Sequence, residues 1–238
     1  LRQLVSQTQT QPVELVSLMV QLRCQSVWEK FLIPAFIFFF QKLYPFPWVN
    51  NTQRSTAAAA GGCILLKRSA LQRIGGIASL REALIDDCTL ARNVKGSHRP
   101  YTPIWLGLSQ DTLSLRSYDD LASIWNMVAR TAYTQLHYSP LLLLGTVIGM
   151  SVVYLVAPVA IGYGLFTAHS EIFSLGLLLW SLMTIAYLPT IQLYRLCPLW
   201  ALTLPVIAFL YNLMTIDSAR RHWMGQGGAW KGRVYPGA

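Results

Sequence analysis

The sequence predicts a mixed α/β domain followed by a hydrophobic, α-helical membrane region. Of the 238 residues, 53% are hydrophobic and 12% are charged, which is about half the charged fraction of an ordinary soluble domain. Residues 1–139 hold 14 of the 19 Lys and Arg residues and eight of the ten acidic residues. A water-soluble domain is therefore predicted to precede an integral membrane region.

Three apolar segments define the predicted membrane region, 140–217. The segments 141–167, 172–194 and 198–216 contain no Lys, Arg, Asp or Glu. Each is near or above the roughly 20 apolar residues that a membrane-spanning helix needs. Hydropathy alone therefore predicts three crossings of the bilayer.

Charge predicts an even number of crossings instead. The tail 218–238 is basic, and Lys and Arg are enriched on the cytoplasmic side of membrane proteins. The charged domain is also predicted to be cytoplasmic, because its cysteines have no metal-like or disulfide-like spacing and indicate free thiols. Pro158, or Pro189 and Pro205, would allow one segment to be re-entrant. The number of crossings stays open at this point.

Short patterns predict the elements of residues 1–118. Alternating apolar and polar residues, with many Val and Leu, predict a strand at 13–24. Strand regions are also predicted at 63–66 and 104–118. The apolar segment 31–49 is interrupted by Pro34 and other prolines. It is predicted to lie in the membrane interface, with a buried core helix as the alternative. A helix is predicted from Ser69 to a glycine stop.

Two adjacent acidic residues, Asp86 and Asp87, follow an apolar stretch and are the first candidate site. An Asp before a helix commonly serves as an N-cap, which is the structural alternative. Neighbouring carboxylates point in different directions, so they do not fit the spaced pair of a glycoside hydrolase. One aspartate can instead act as a general base while its neighbour orients it. Gly61 and Gly62 permit close approach of the backbone to a ligand.

The segment 119–139 is predicted to be an amphipathic helix at the membrane interface. Its apolar residues recur at helical spacing. At 100° per residue, Asn126, Arg130, Tyr133 and His137 fall on the opposite, polar face. That face is predicted to be solvated or directed to a site at the membrane surface.

Several long phrases carry a resemblance to a known family. They lie at 33–51 ("IPAFIFFFQKLYPFPWVNN"), 61–76 ("GGCILLKRSALQRIGG"), 83–91 ("ALIDDCTLA"), 127–146 ("MVARTAYTQLHYSPLLLLGT") and 230–235 ("WKGRVY"). These phrases resemble family 2 glycosyltransferases, which are membrane-attached, inverting enzymes, and they look closest to the bacterial hopene-associated branch, which functions in hopanoid biosynthesis. The resemblance implies that 1–118 is the C-terminal half of a Rossmann-like GT-A domain.

The resemblance also implies roles for individual residues. Asp87 matches the family's general base, and Asp86 takes the preceding acidic position. The family's Gln/Arg-x-x-Arg-Trp motif corresponds to "RTAYT", with Arg130 at its first position and Tyr133 in place of the Arg. Arg130 is then expected to stabilise a leaving diphosphate by charge-assisted hydrogen bonds.

The family's donor and metal motif, Asp-x-Asp, does not occur in this sequence. The resemblance implies a nucleotide-sugar donor and a divalent cation, Mg²⁺ or Mn²⁺, which is bound mainly by the donor-binding half and not by residues of this chain. We therefore expect the donor-binding half to lie upstream of Leu1 and the chain alone to be inactive.

The resulting prediction is an inverting transfer of a sugar from a nucleotide sugar to a lipid hydroxyl, with a hopanoid as the expected lipid. The expected location is the bacterial inner membrane, with the lipid bilayer and a lipid acceptor as partners. Nucleic acid is not an expected partner, because the sequence has no run of basic residues interleaved with aromatics. The alternatives are polyprenyl phosphate, a ceramide-like lipid or a polysaccharide as acceptor, a degenerate non-catalytic relative, and a membrane scaffold or transporter.

Overall fold

A computed structural model describes residues 2–10 and 12–227. It divides into two compact units. We call Leu1–Arg23 with Phe39–Arg116 the sheet unit, and Cys24–Phe38 with Ser117–Ala238 the apolar unit. The predicted mixed α/β composition is confirmed, although most of the described residues are helical. The Rossmann-like GT-A assignment stays a prediction.

The elements up to Arg116 alternate between helices and three strands. In chain order they are α1 (Arg2–Thr10), β1 (Leu15–Gln21), α2 (Val27–Leu43), α3 (Phe46–Val49), β2 (Ile64–Leu66), α4 (Arg68–Arg73), a 3₁₀ helix (Ile77–Leu80), α5 (Asp86–Gly96) and β3 (Ile104–Leu113). All three predicted strand regions are confirmed. The predicted helix after β2 is α4, and it is followed by Gly75 and Gly76 with φ of 90° and 74°, values that favour glycine.

The three strands form one mixed sheet in the order β2-β1-β3. β1 pairs antiparallel with β2, where Ser17 lies opposite Ile64. It pairs parallel with β3, where Leu15 lies opposite Ile104. Six of the seven β1 residues are buried, as expected for a central strand covered on both faces.

Two polar side chains fix the segment that follows α3. The Asn50 amide pairs with the backbone of Leu106 in both directions, accepting from its N–H at 2.8 Å and donating to its carbonyl at 3.1 Å. The buried Lys95 ammonium, on α5, donates to Val49 O at 2.6 Å and Thr56 O at 2.7 Å. Burial lowers the pKa of Lys95 to about 8, because a buried ammonium loses solvation. Together these contacts anchor the chain on both sides of residue 51.

The helix α2 is continuous through Pro34, so the predicted interruption of this segment at Pro34 is wrong. Its first turn is a capping box, in which Ser26 Oγ accepts from Glu29 N–H at 3.1 Å and Glu29 Oε2 accepts from Ser26 N–H at 2.9 Å. Glu29 is fully buried and also accepts from Tyr118 N–H at 2.8 Å. This carboxylate therefore links the first turn of α2 to the segment that follows β3.

The predicted amphipathic helix at 119–139 is two helices. They are α6 (Leu121–Ala129) and α7 (Ala132–Gln135), and Asp120 caps α6 by accepting from Ser123 N–H at 2.7 Å. Because the helix stops at Ala129, the rotation of 100° per residue does not continue beyond it. Tyr133 is consequently 1% exposed instead of lying on a polar face.

Three helical segments of the apolar unit are long and apolar enough to cross a membrane, as predicted. They are α8 (Pro140–Thr167), α9 (Ser170–Leu193), and a 3₁₀ helix (Pro198–Thr203) that continues into α10 (Leu204–Trp223). α10 extends past the predicted tail boundary at residue 218. Residues 228–238 of that predicted tail, which include "WKGRVY", lie outside the described residues.

Candidate active site

The acidic pair lies in the first turn of α5. The N-cap position belongs to Ile85, which has no capping side chain. Neither aspartate is therefore the N-cap that the structural alternative predicted, although the helix dipole favours acidic residues in this turn. Asp86 is exposed and Asp87 is half-buried. Asp86 Oδ1 accepts from Asp87 N–H at 3.0 Å.

The Asp87 carboxylate is held by one backbone donor on each oxygen. Gly61 N–H donates to Oδ2 at 2.7 Å, and Cys88 N–H donates to Oδ1 at 2.7 Å. An ionised carboxylate has about four acceptor positions, so these two bonds orient the group and leave acceptor capacity on both oxygens. Such a group can accept a proton from a substrate placed beside it.

Gly61 lies next to the Asp87 carboxylate because the segment that precedes it is anchored to β1. Residues Ala57–Ala60 are buried, and Ser17 Oγ accepts from Ala60 N–H at 2.8 Å. A Cβ on Gly61 would lie 3.1 Å from Asp87 Oδ2, and a Cβ on Gly62 would lie 2.8 Å from Val20 Cγ2. Both positions therefore have a steric reason to be glycine. The structure thus brings two of the predicted site residues, Gly61 and Asp87, into contact.

Burial dominates the electrostatics around Asp87. Desolvation raises the pKa of Asp87 above its ordinary value, and the N–H bonds from Cys88 and Gly61 oppose that shift. Burial likewise raises the pKa of the Cys88 thiol to about 12, so this neighbour stays protonated. The pKa of Tyr44, which contacts Cys88, is also raised by burial. A carboxylate with a raised pKa is a stronger base than an exposed aspartate.

The two other predicted site residues belong to the apolar unit. Arg130 is half-buried at the end of α6. Tyr133 N–H donates to Ser218 Oγ at 3.0 Å, and its hydroxyl donates to Tyr138 O at 2.7 Å. Tyr133 is thus closely packed, and its role in substrate binding stays a prediction. The diphosphate-binding role of Arg130 stays a prediction.

No cluster of three or more His, Cys, Asp or Glu side chains that fits a metal ion occurs within 2–10 and 12–227. The Mg²⁺ or Mn²⁺ that the resemblance implies therefore stays a prediction.

Several residues that support the site were missed in the sequence. Tyr44 and Cys88 lie beside Asp87. Ser17 holds the backbone of Ala60, and Lys95 anchors the segment before it. Cys88 is adjacent to Asp87, but adjacency alone does not predict a buried neighbour. The Ser26–Glu29 pair carries the S-x-x-E pattern of a capping box, and this signal was available.

Replacing Gly61 with Ala is expected to reduce turnover roughly three- to tenfold, because the new methyl group displaces the Asp87 carboxylate by a few tenths of an ångström. Gly96→Ala is the matched control, since a Cβ there meets nothing within 4 Å. Initial rates on membranes with equal amounts of each variant measure the effect. Equal rates for the two variants would show that the Gly61 contact does not matter for turnover.

Comparison with known proteins finds one family. A family model described as "Glycosyl transferase family 21" matches residues 1–236. No curated protein and no solved structure matches the chain. The match covers both the sheet unit and nearly all of the apolar unit.

Proposed function

Because the chain belongs to glycosyl transferase family 21, we propose that it transfers a sugar to the hydroxyl group of a membrane lipid. The observation that carries this proposal is the Asp87 carboxylate, oriented by two backbone N–H groups at 2.7 Å. Family 2, its hopene-associated branch and the GT-A fold stay predictions.

In the proposed mechanism Asp87 acts as the general base. A lone pair of its carboxylate takes the proton as the O–H bond of the acceptor breaks. The acceptor oxygen forms a bond to the anomeric carbon of a nucleotide sugar, on the face opposite the leaving group. The bond between that carbon and the diphosphate breaks, and the diphosphate leaves with the electron pair. Attack from the face opposite the leaving group inverts the configuration at the anomeric carbon.

Asp86 has a positioning role in this proposal. Its Oδ1 accepts from Asp87 N–H, which steadies the first turn of α5. Arg130 is proposed to bind the diphosphate, because an Arg guanidinium binds phosphate oxygens with charge-assisted hydrogen bonds. Gly61 and Gly62 are proposed to let the donor approach the backbone closely, because glycine has no side chain. The divalent cation stays a prediction without ligands among the described residues.

The apolar helices α8 and α9 present surface that fits contact with lipid, as a lipid acceptor requires. Exposed apolar side chains cover α8 and α9, including Val159 at 67% and Phe166 at 92% exposure. Apolar surface of this extent fits lipid contact. We propose a bacterial inner membrane location, with the sheet unit and the basic tail on the cytoplasmic side and a hopanoid as the acceptor.

The test is a transfer assay on membranes that contain the complete gene product. Radiolabelled nucleotide sugars are supplied with hopanoid, polyprenyl phosphate or ceramide in turn, and lipid extracts are analysed for labelled product. Labelled hopanoid is the expected result, with the inverted anomer identified by NMR. A labelled polyprenyl phosphate or ceramide would keep the chemistry and replace the acceptor. No labelled lipid with any pair would contradict the proposal.

A further inference from the structure

α8 and α9 form an antiparallel helical hairpin. The turn between them contains Ala168 with φ of 54°. The helices approach so closely that a Cβ on Gly164 would lie 2.6 Å from the backbone nitrogen of Phe173, and one on Gly176 would lie 3.0 Å from Ala157 O. Residues at equal distances from the turn therefore face each other along both helices.

The third apolar segment first folds back along α9. It begins after the end of α9 with the 3₁₀ helix Pro198–Thr203. The Trp180 indole N–H donates to Leu202 O at 3.0 Å. Trp180 lies only ten residues into α9, which places it about 15 Å from the first residue of that helix. The segment therefore reaches the middle of the hairpin and stops short of its turn.

α10 then returns to the end from which the segment came. The Asn212 amide donates to Ser151 Oγ at 3.3 Å, while Ala219 packs in one cluster with Leu143 and Tyr133. Later residues of α10 thus meet earlier residues of α8, so the two helices are antiparallel. α10 consequently ends beside the start of α8, at the same end of the hairpin as the end of α9.

We propose that the third apolar segment is a re-entrant hairpin, which enters and leaves the bilayer through the same leaflet. Only α8 and α9 then cross the membrane between residues 140 and 227. The point of return lies near the bilayer centre, since it is about 15 Å from the α8–α9 turn and the hydrocarbon core is about 30 Å thick. This inference does not depend on the proposed glycosyl transfer.

The charges flanking the segments agree with two crossings. Arg195, Arg220 and Arg221 all lie at the end shared by α9 and α10, and Glu171 lies at the other end. With three crossings, Arg195 would be separated from Arg220 and Arg221 by the membrane. With two, all three arginines face the same side, as the enrichment of Lys and Arg in cytoplasmic flanks requires.

Thiol accessibility tests the inference on the full chain. Sealed inverted vesicles are treated with a membrane-impermeant maleimide, and peptide mass spectrometry reads modification at native Cys197 and at thiols introduced singly by His169→Cys and Gln226→Cys. We expect modification at positions 197 and 226 on the same side, and at 169 only after detergent. Modification at 197 and 226 from opposite sides would overturn the inference, as would modification of all three from one side.

A distance measurement gives an answer that does not depend on reagent access. Spin labels are placed at Cys197 and at the Gln226→Cys thiol, with the other native cysteines replaced by Ser. A continuous helix over the 26 residues Pro198–Trp223 would separate its ends by about 39 Å. The folded-back path predicts roughly 20 Å, from the difference between the lengths of α10 and the 3₁₀ helix. A separation near 40 Å would refute the re-entrant hairpin.

Discussion

Asp87→Asn is expected to reduce glycosyl transfer by about 10²- to 10⁴-fold, the range that a positioned general base contributes. The amide keeps the size of the side chain but cannot accept the proton. Its Oδ1 can take only one of the two N–H bonds that Gly61 and Cys88 donate. Initial rates with the labelled donor measure the loss, and protein levels in washed membranes show whether insertion is preserved.

The control for this variant is Asp86→Asn, which removes one charge from the same turn. Its amide oxygen can still accept from Asp87 N–H, so a loss below about tenfold is expected. If Asp87→Asn retained most of its activity, Asp87 would be a structural residue of the helix start and not the base.

The pH dependence of the wild-type rate provides a second readout of the same group. The active form of Asp87 is the carboxylate, and burial raises its pKa. The rate should therefore fall as the pH is lowered through an apparent pKa above the ordinary aspartate value of about 3.9. This acid limb should be missing from the residual activity of Asp87→Asn.

Lys95→Met is expected to destabilise the sheet unit by about 3 kcal/mol, because it removes the donor from buried carbonyls of Val49 and Thr56. For a chain of this size that loss lowers Tm by roughly 6–12 °C. Lys67→Met is the matched control, since its side chain is exposed. Thermal unfolding in detergent compares the two, and equal Tm values would show that the Lys95 contacts are energetically neutral.

The pH dependence of the free energy of unfolding tests the contribution of the Lys95 side chain. Its pKa falls from 10.5 to about 8 on folding, so the unfolded chain binds more protons between these values. Wild-type stability from this group should therefore rise as the pH increases from about 8 to 10.5. Lys95→Met should lack that rise, and Lys67→Met should keep it.

The sequence predicts most elements of the fold because their patterns are local. β1, β2 and β3 each carry a short apolar or alternating run, and α8 and α9 follow from length and hydropathy alone. The break between α6 and α7 is not predicted, because burial of Tyr133 against α10 is a tertiary effect. Pro34 is tolerated inside α2, where packing outweighs the lost backbone bond.

The candidate site is predictable only in part, for a related reason. Asp87 and Gly61 are visible as an acidic pair and a glycine pair, but nothing local indicates that residues 26 apart share a hydrogen bond. The number of membrane crossings is even harder to predict from the sequence. Hydropathy measures length and polarity, and a re-entrant segment has the length and polarity of a spanning one. The tertiary contact of Trp180 with Leu202 is what distinguishes a re-entrant segment from a spanning one here.

The position of β1 at the centre of the sheet has a consequence for biosynthesis. β1 is translated well before its parallel partner β3, which begins only at Ile104. The apolar helix α2 emerges between them, so the nascent chain exposes a mostly apolar strand without its parallel partner while further apolar sequence leaves the ribosome. Pairing over such a separation is slow, since the loop must close before the strands gain any contact. Until β3 has been made, the exposed edge of β1 can pair with other chains, so aggregation competes with folding during synthesis.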